Sequence, residues 1–239
     1  MSHHYLRFHH VHYRYPNGHE ALCDVSFLLR HGEKVALLGA NGAGKSTLLL
    51  HCNGLLLPNM GEVNVGGIPV GQHTLRLVRQ SVGLVFQHPD DQLFMPTVGE
   101  DVAFGPLNMG LPADEVECRV VEALQAVGAL GLREKSCFEL SGGQKRRVAI
   151  ATVLSMQPNL LVMDEPTAGL DPYARRQVIE LVRSFTHTCL IATHDLPMVR
   201  ELCARSIVMS AGQILFDGFT EQMFQDMDLL HRAGLEEGV

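Results

Sequence analysis

An apolar run, Val35-Ala36-Leu37-Leu38, passes directly into Gly39-Ala40-Asn41-Gly42-Ala43-Gly44-Lys45-Ser46, which matches G-x-x-x-x-G-K-[ST]. The segment from Lys45 to Asn53 then reads as a helix. A buried strand that feeds a glycine loop at the start of a helix constrains this chain more than any other feature. It calls for a mostly parallel sheet, because such strands are joined by long helical crossovers and are covered on both faces. The loop is equally specific in its chemistry. Glycines let successive N–H groups point at phosphate oxygens, and the helix N-terminus adds partial positive charge. In that setting Lys45 reaches β and γ phosphates, Ser46 offers its hydroxyl to Mg²⁺, and Thr47 stands beside it.

A second strand signal ends in acid. Leu160-Leu161-Val162-Met163 leads into Asp164-Glu165, the pattern that sets a metal-binding carboxylate at the carboxyl edge of a sheet. Asp164 is the expected Mg²⁺ partner, through water. Adjacent strand residues point to opposite faces, so Glu165 takes a different role if the backbone turns there, as Pro166 implies; the expected role is general base. Further apolar runs, Cys189–Ala192 and Ile207–Met209, suit the middle of the same sheet. Ahead of the loop, Tyr5–Tyr15 and Ala21–Arg30 alternate like strands. From Pro89 to Leu140 the pattern turns helical, with Pro106 and Pro112 as breaks and Ala113–Val127 at helical spacing. The expectation is an α/β fold in one compact unit, residues 1–239, with a helical insertion over approximately 88–157.

Composition removes several alternatives. With 46% hydrophobic residues the chain can bury a sizeable core. Its apolar runs fall short of the roughly 18 residues needed to span a bilayer. A net charge of -7 with only four lysines disfavours a nucleic-acid surface, and no basic and apolar leader opens the sequence, so the expected compartment is the cytoplasm. The six cysteines are scattered without a C-x-x-C pair, which argues against zinc and against a disulfide framework.

Leu140-Ser141-Gly142-Gly143-Gln144 precedes a basic amphipathic helix, Lys145–Met156. Ser141 is a good N-cap, and the glycine N–H groups are free to face an anion. One nucleotide does not need two such helix starts from one chain, unless the second serves a neighbour's nucleotide. On these residues the chain resembles the ABC ATPase family, whose signature is L-S-G-G-Q. The resemblance runs through nearly the whole sequence: Tyr15 is similar to the aromatic that stacks on adenine, with Tyr13 the competing candidate. Gln87 resembles the Q-loop glutamine, which ligates Mg²⁺; Ala168-Gly169-Leu170-Asp171 the D-loop; and His194 the switch histidine at the γ-phosphate. It implies a P-loop NTPase with a RecA-like core, an N-terminal antiparallel β subdomain and a helical signature subdomain. It also implies ATP and Mg²⁺ as ligands. Catalysis would rest on Glu165, His194 and Lys45, with Ser141 to Gln144 completing the ATP site of an opposing subunit in a head-to-tail dimer.

Within the family, Phe86 to Phe94 and Val98 to Pro106 look like the ATPases of energy-coupling-factor importers, and most like the cobalt and nickel branch; the tail from Asp217 to Leu235 is similar too. The resemblance implies attachment at the cytoplasmic face of the membrane. The partners would be a second copy or a paralogous ATPase, an integral coupling subunit and a substrate-binding membrane subunit. Asp90 and Asp91 are then candidates to receive a coupling helix, against the alternative of a solvated loop. Many relatives continue past Ala-Gly-Leu with an extension that helps hold the dimer, whereas this sequence stops at Val239, so the resemblance does not carry over a dimer that persists without nucleotide. The histidines His3, His4, His9, His10 and His12 invite a metal role. Strand geometry argues against it, since His10 and His12 share a face with Leu6 and Phe8 while His9 lies opposite. Vitamin uptake, a non-transport ABC ATPase of cofactor assembly or DNA maintenance, and a small-molecule kinase are the rival readings. The roughly ninety residues between Thr47 and Leu140 leave no room for the long coiled coil of chromosome-maintenance relatives.

Overall fold

The computed structural model describes residues 4–235. In chain order the elements are β1 (His4–Arg14), β2 (Glu20–Arg30), β3 (Lys34–Leu38), α1 (Lys45–Cys52), β4 (Met60–Val65), β5 (Ile68–Pro69), α2 (Leu75–Ser81) and β6 (Val82–Val85). Three helices follow, α3 (Val98–Asn108), α4 (Ala113–Ala126) and α5 (Gly142–Leu154). Then come β7 (Leu160–Asp164), α6 (Pro172–Ser184), β8 (Thr188–Ala192), α7 (Leu196–Leu202), β9 (Arg205–Ser210), β10 (Gln213–Phe219), α8 (Thr220–Gln225) and α9 (Met227–Arg232).

Two sheets result. The antiparallel one runs β2-β1-β4-β5, and the larger one runs β10-β9-β3-β8-β7-β6, with β9, β3, β8, β7 and β6 parallel and β10 antiparallel at the edge. Every residue of β6, β7 and β8 is buried, as expected of strands covered on both faces. One core layer fills the space between the sheets around α1, joining Leu6, Phe8 and Leu29 to Leu48, Leu49, Val162 and Leu190. The second covers the opposite face and joins Leu38, Met163 and Ile191 to Leu124 and Ile150 of the helical insertion. Each such fully buried side chain contributes on the order of 1.5–3 kcal/mol.

Two expectations need correction. Pro106 does not break a helix: it lies inside α3, near the end. A proline there cannot donate to the carbonyl of Val102, and the hydroxyl of Ser155 donates to it instead at 2.8 Å. The histidines depart from simple alternation as well. A bulge shifts the register of β1 between Phe8 and Val11, with His10 at φ 48, so Val11 takes the inward position and His10 is exposed. His10 Nδ1 lies 2.6 Å from Asp24, and no cluster of three His, Cys, Asp or Glu suited to a metal occurs among the described residues. His3 lies outside the described residues. Strands β4, β5 and β10 are short or lie at a sheet edge, and their weak alternation leaves little signal in the sequence.

Candidate functional site

The loops after β3, β6, β7 and β8 all leave the large sheet at its carboxyl edge, and there they surround a cavity of about 620 Å³. Its floor is the phosphate loop: Gly39, Ala40, Asn41, Gly42, Gly44, Lys45, Ser46 and Thr47 line it. Ala43 instead is buried in the core beneath. The glycines at 39 and 44 are required on steric grounds. A Cβ on Gly39, at φ +146, would lie 2.3 Å from the carbonyl oxygen of Met209, and one on Gly44, at φ +102, would lie 2.6 Å from that of Ala21. Lys45, 8% exposed, donates through its ammonium to the carbonyls of Gly39 at 2.6 Å and Ala40 at 3.1 Å. Burial pulls its pKa down, and the carboxylates of Glu165 and Asp164 oppose that shift.

Gln87, Asp164, Glu165 and His194 form the facing wall. Asp164 ends β7 with its carboxyl hydrogen-bonded to Ser46, and burial raises its pKa. Glu165 follows with φ 48, a left-handed turn on a non-glycine residue. That turn resolves the strand-face problem: it swings the Glu165 carboxylate to the same side as Asp164 and into a tight set of donors. Thr193 Oγ1 donates to Oε2 at 3.1 Å, the His194 amide to Oε2 at 3.3 Å, and His194 Nδ1 meets Oε1 at 2.8 Å. Strain at a well-determined carboxylate is what a reactive site stores.

Other expected residues fall elsewhere. Tyr15 is half-buried and does not line the cavity; its hydroxyl meets Thr47 Oγ1 at 3.1 Å, and its ring lies parallel to that of His19, 6.4 Å between centroids. Tyr13 packs edge-on against both Tyr15 and His51, so the alternative aromatic is committed to supporting the first. Ser141 caps α5 in a capping box with Gln144, and Gly142 and Gly143 supply the first helical turn, outside the cavity lining. Asp171 caps α6, accepting from the Ala174 amide at 2.9 Å. Asp90 is paired with Lys145 at 2.5 Å, while Asp91 is exposed.

Several functional contacts went unread in the sequence. Arg146, 5% exposed, donates to the carbonyls of Phe86 at 2.9 Å and Gln87 at 2.6 Å, tying the helix after Ser141 to the loop that bears Gln87. Gln92 adds to that tie: its amide oxygen accepts from the Phe86 amide and its amide nitrogen donates to Ala149 and Thr152. Arg175 of α6 grips Asp195, next to His194, through two bonds of 2.7 Å. His19, Ala21, Gly234 and Leu235 complete the cavity wall. Of these, Gln92, Gly234 and Leu235 fall in segments that the sequence singles out by resemblance, while the expected amphipathic helix that bears Arg146 is instead buried on most sides, Arg146 included.

A parallel-sheet core, a phosphate loop, paired carboxylates on the adjacent strand and a separate glycine-started helix define a nucleotide-hydrolysing cassette. Comparison with known proteins agrees. The ABC transporter family model matches residues 22–168. The energy-coupling factor transporter ATP-binding protein EcfA of Methanocaldococcus jannaschii is 50% identical over 94% of this chain and 82% of its own length. The structure of CbiO1 from Clostridium perfringens, part of the ABC transporter complex CbiONQ, superposes with a TM-score of 0.84 at 38% identity, covering 98% of this chain and 96% of that one. The ATP-binding cassette MJ0796, solved as a dimer in a post-hydrolysis state with ADP and phosphate, gives 0.82 at 27% identity, over 90% and 98%. The chain belongs to the ABC transporter family: it is an ATPase, an ATP-binding subunit similar to those of energy-coupling-factor transporters.

Proposed function

We propose that this chain energises a membrane importer of the energy-coupling-factor type, with cobalt or nickel ions as cargo, by closing and reopening as a head-to-tail dimer around two ATP molecules. The observation that carries the dimer is the segment Ser141 to Gln144. It is a preorganised helix start that lies outside the chain's own nucleotide cavity. A Cβ on Gly142 would meet nothing within 4 Å and one on Gly143 only ordinary contacts, and neither glycine has a positive φ. Packing within the chain therefore gives no reason for glycine at either position, which supports close approach by a group from another chain.

In this reading the phosphate loop amides and Lys45 hold the ATP phosphates, and Glu165 accepts the proton of the attacking water while Thr193 and His194 fix its orientation. Ser46, Asp164 and Gln87 stand together at the cavity wall as the oxygen donor set that suits Mg²⁺. When bound, the ion neutralises charge on the phosphates. Asp91 and the exposed Phe94 and Phe104, which pack edge to face, are the surface offered to the coupling subunit at the cytoplasmic face of the membrane. No helix among the described residues is long and apolar enough to cross a membrane, in keeping with a peripheral subunit. The likeness of Phe86 to Phe94 and Val98 to Pro106 to the cobalt and nickel branch is what favours metal ions over vitamins as cargo.

Glu165→Gln tests the chemistry. It should bind ATP, lose hydrolysis and accumulate as an ATP-bound dimer in size-exclusion chromatography. Retained turnover would refute the assignment of Glu165. Metal analysis of the copurified membrane complex tests the cargo, and bound vitamin without cobalt or nickel would overturn it.

A further inference from the structure

The last described turn of the chain is seated on the phosphate loop. After α9 the backbone closes in two hydrogen bonds, Gly234 N–H to His231 at 3.1 Å and Leu235 N–H to Leu230 at 2.9 Å, with Gly234 in the left-handed region at φ +64. This is the glycine-terminated helix end that leaves the final carbonyls in fixed directions. One of them is used: the carbonyl of Ala233 accepts the N–H of Ala40 at 3.0 Å. The fit is close, because a Cβ on Gly234 would lie 3.1 Å from the Cβ of Ala40. Gly234 and Leu235 also line the nucleotide cavity. Ala233 and Leu235, 1% and 5% exposed, belong to the same core cluster as Leu196, Met198 and Val199 of α7, the helix that begins directly after His194 and Asp195.

We infer that Ala233, Gly234 and Leu235 are positioning residues of the ATP site, holding Ala40 and linking the phosphate loop through the core to the helix that follows His194. A turn that served only to end α9 would need neither the bond to Ala40 nor a place in the cavity wall. The glycine at 234 answers two demands at once, the left-handed turn and room for Ala40. The inference rests on the reading of this cavity as the ATP site.

The test separates those two demands in a cycle of variants of the full chain: Gly234→Ala, Ala40→Gly and the pair together. ATP affinity is titrated with a fluorescent ribose-labelled ATP, and thermal unfolding is followed in parallel. In Gly234→Ala the new methyl must displace the phosphate loop by a few tenths of an ångström, and this overpacking should lower ATP affinity about tenfold. Ala40→Gly removes the opposing methyl, so most of that loss should return in the double variant, while the left-handed strain is common to both backgrounds and cancels. Gly234→Asn, which tolerates a left-handed backbone, repeats the comparison if the Ala variant does not fold. Unchanged affinity in Gly234→Ala, or a loss that Ala40→Gly leaves in place, would overturn the inference. If Lys45→Ala bound ATP as tightly as the parent, the ATP-site reading itself would fail and this inference with it.

Discussion

Arg146 is the sharpest place to perturb the molecule without touching the cavity. Its guanidinium is buried, and it bridges α5 to the Gln87 loop through the carbonyls of Phe86 and Gln87. Hydrogen bonds from a charged donor are worth about 1.5–3 kcal/mol each, and part of that is offset by the desolvation that already pulls the Arg146 pKa down. Arg146→Met keeps the apolar stem but strands both carbonyls, so the net cost should be about 3 kcal/mol, or roughly 6–12 °C in melting temperature for a chain of this size. Arg146→Lys can reach one carbonyl and should lose about half as much. Asp164 also loses a neighbouring positive charge, so its pKa should climb further above the ordinary range. Thermal unfolding by circular dichroism, with ATP turnover measured on the same samples, checks both effects. A Met variant that melts with the parent would refute the claim that this arginine holds the loop.

Other expectations follow from the same geometry. Gly39→Ala drives a Cβ to 2.3 Å from the Met209 carbonyl, so it should cost at least about 3 kcal/mol and abolish binding of labelled ATP. Asp101, 2% exposed, accepts from the amides of Phe94 and Met95 and from the Cys137 thiol; Asp101→Asn should destabilise by about 1–3 kcal/mol in denaturant titration. Burial and that carboxylate push the Cys137 thiol up to about 12, so in the parent a thiol reagent at pH 8 should label exposed Cys118 while leaving Cys137 unmodified. Asp164 has a pKa raised by burial, so its carboxylate weakens the fold once ionised. Asp164→Asn should melt above the parent at pH 7, and the gap should close as pH falls through the raised pKa toward the ordinary value of 3.8.

What the sequence made legible was whatever rested on local rules. The loop at Gly39, the acidic end of β7 and the cap at Ser141 each pair a residue pattern with a backbone geometry, and each stands where that pairing put it. The role of Glu165 depended on a turn that Pro166 hinted at, and the structure supplies it as a left-handed φ on the glutamate itself. What stayed hidden is the long-range part. Ser155 repairing the proline of α3, Arg146 reaching the Gln87 loop and Ala233 reaching Ala40 link residues separated by 49 positions or more, and no periodicity encodes such contacts. His10 was misplaced for a different reason: a bulge inserts one residue and reverses every later prediction of facing.

The central claim is that each ATP is hydrolysed between the phosphate loop of one chain and the Ser141 segment of another. Mixing a Lys45→Ala chain with a Ser141→Arg chain tests it directly. Each variant alone carries two broken sites per dimer, but the mixed dimer joins an intact loop to an intact segment once. Random pairing makes half of the dimers mixed with one working site in two, so hydrolysis absent from either variant should return to about a quarter of the parental rate. A Ser141→Arg chain that hydrolyses ATP alone, or a mixture that stays inactive, would contradict the shared site.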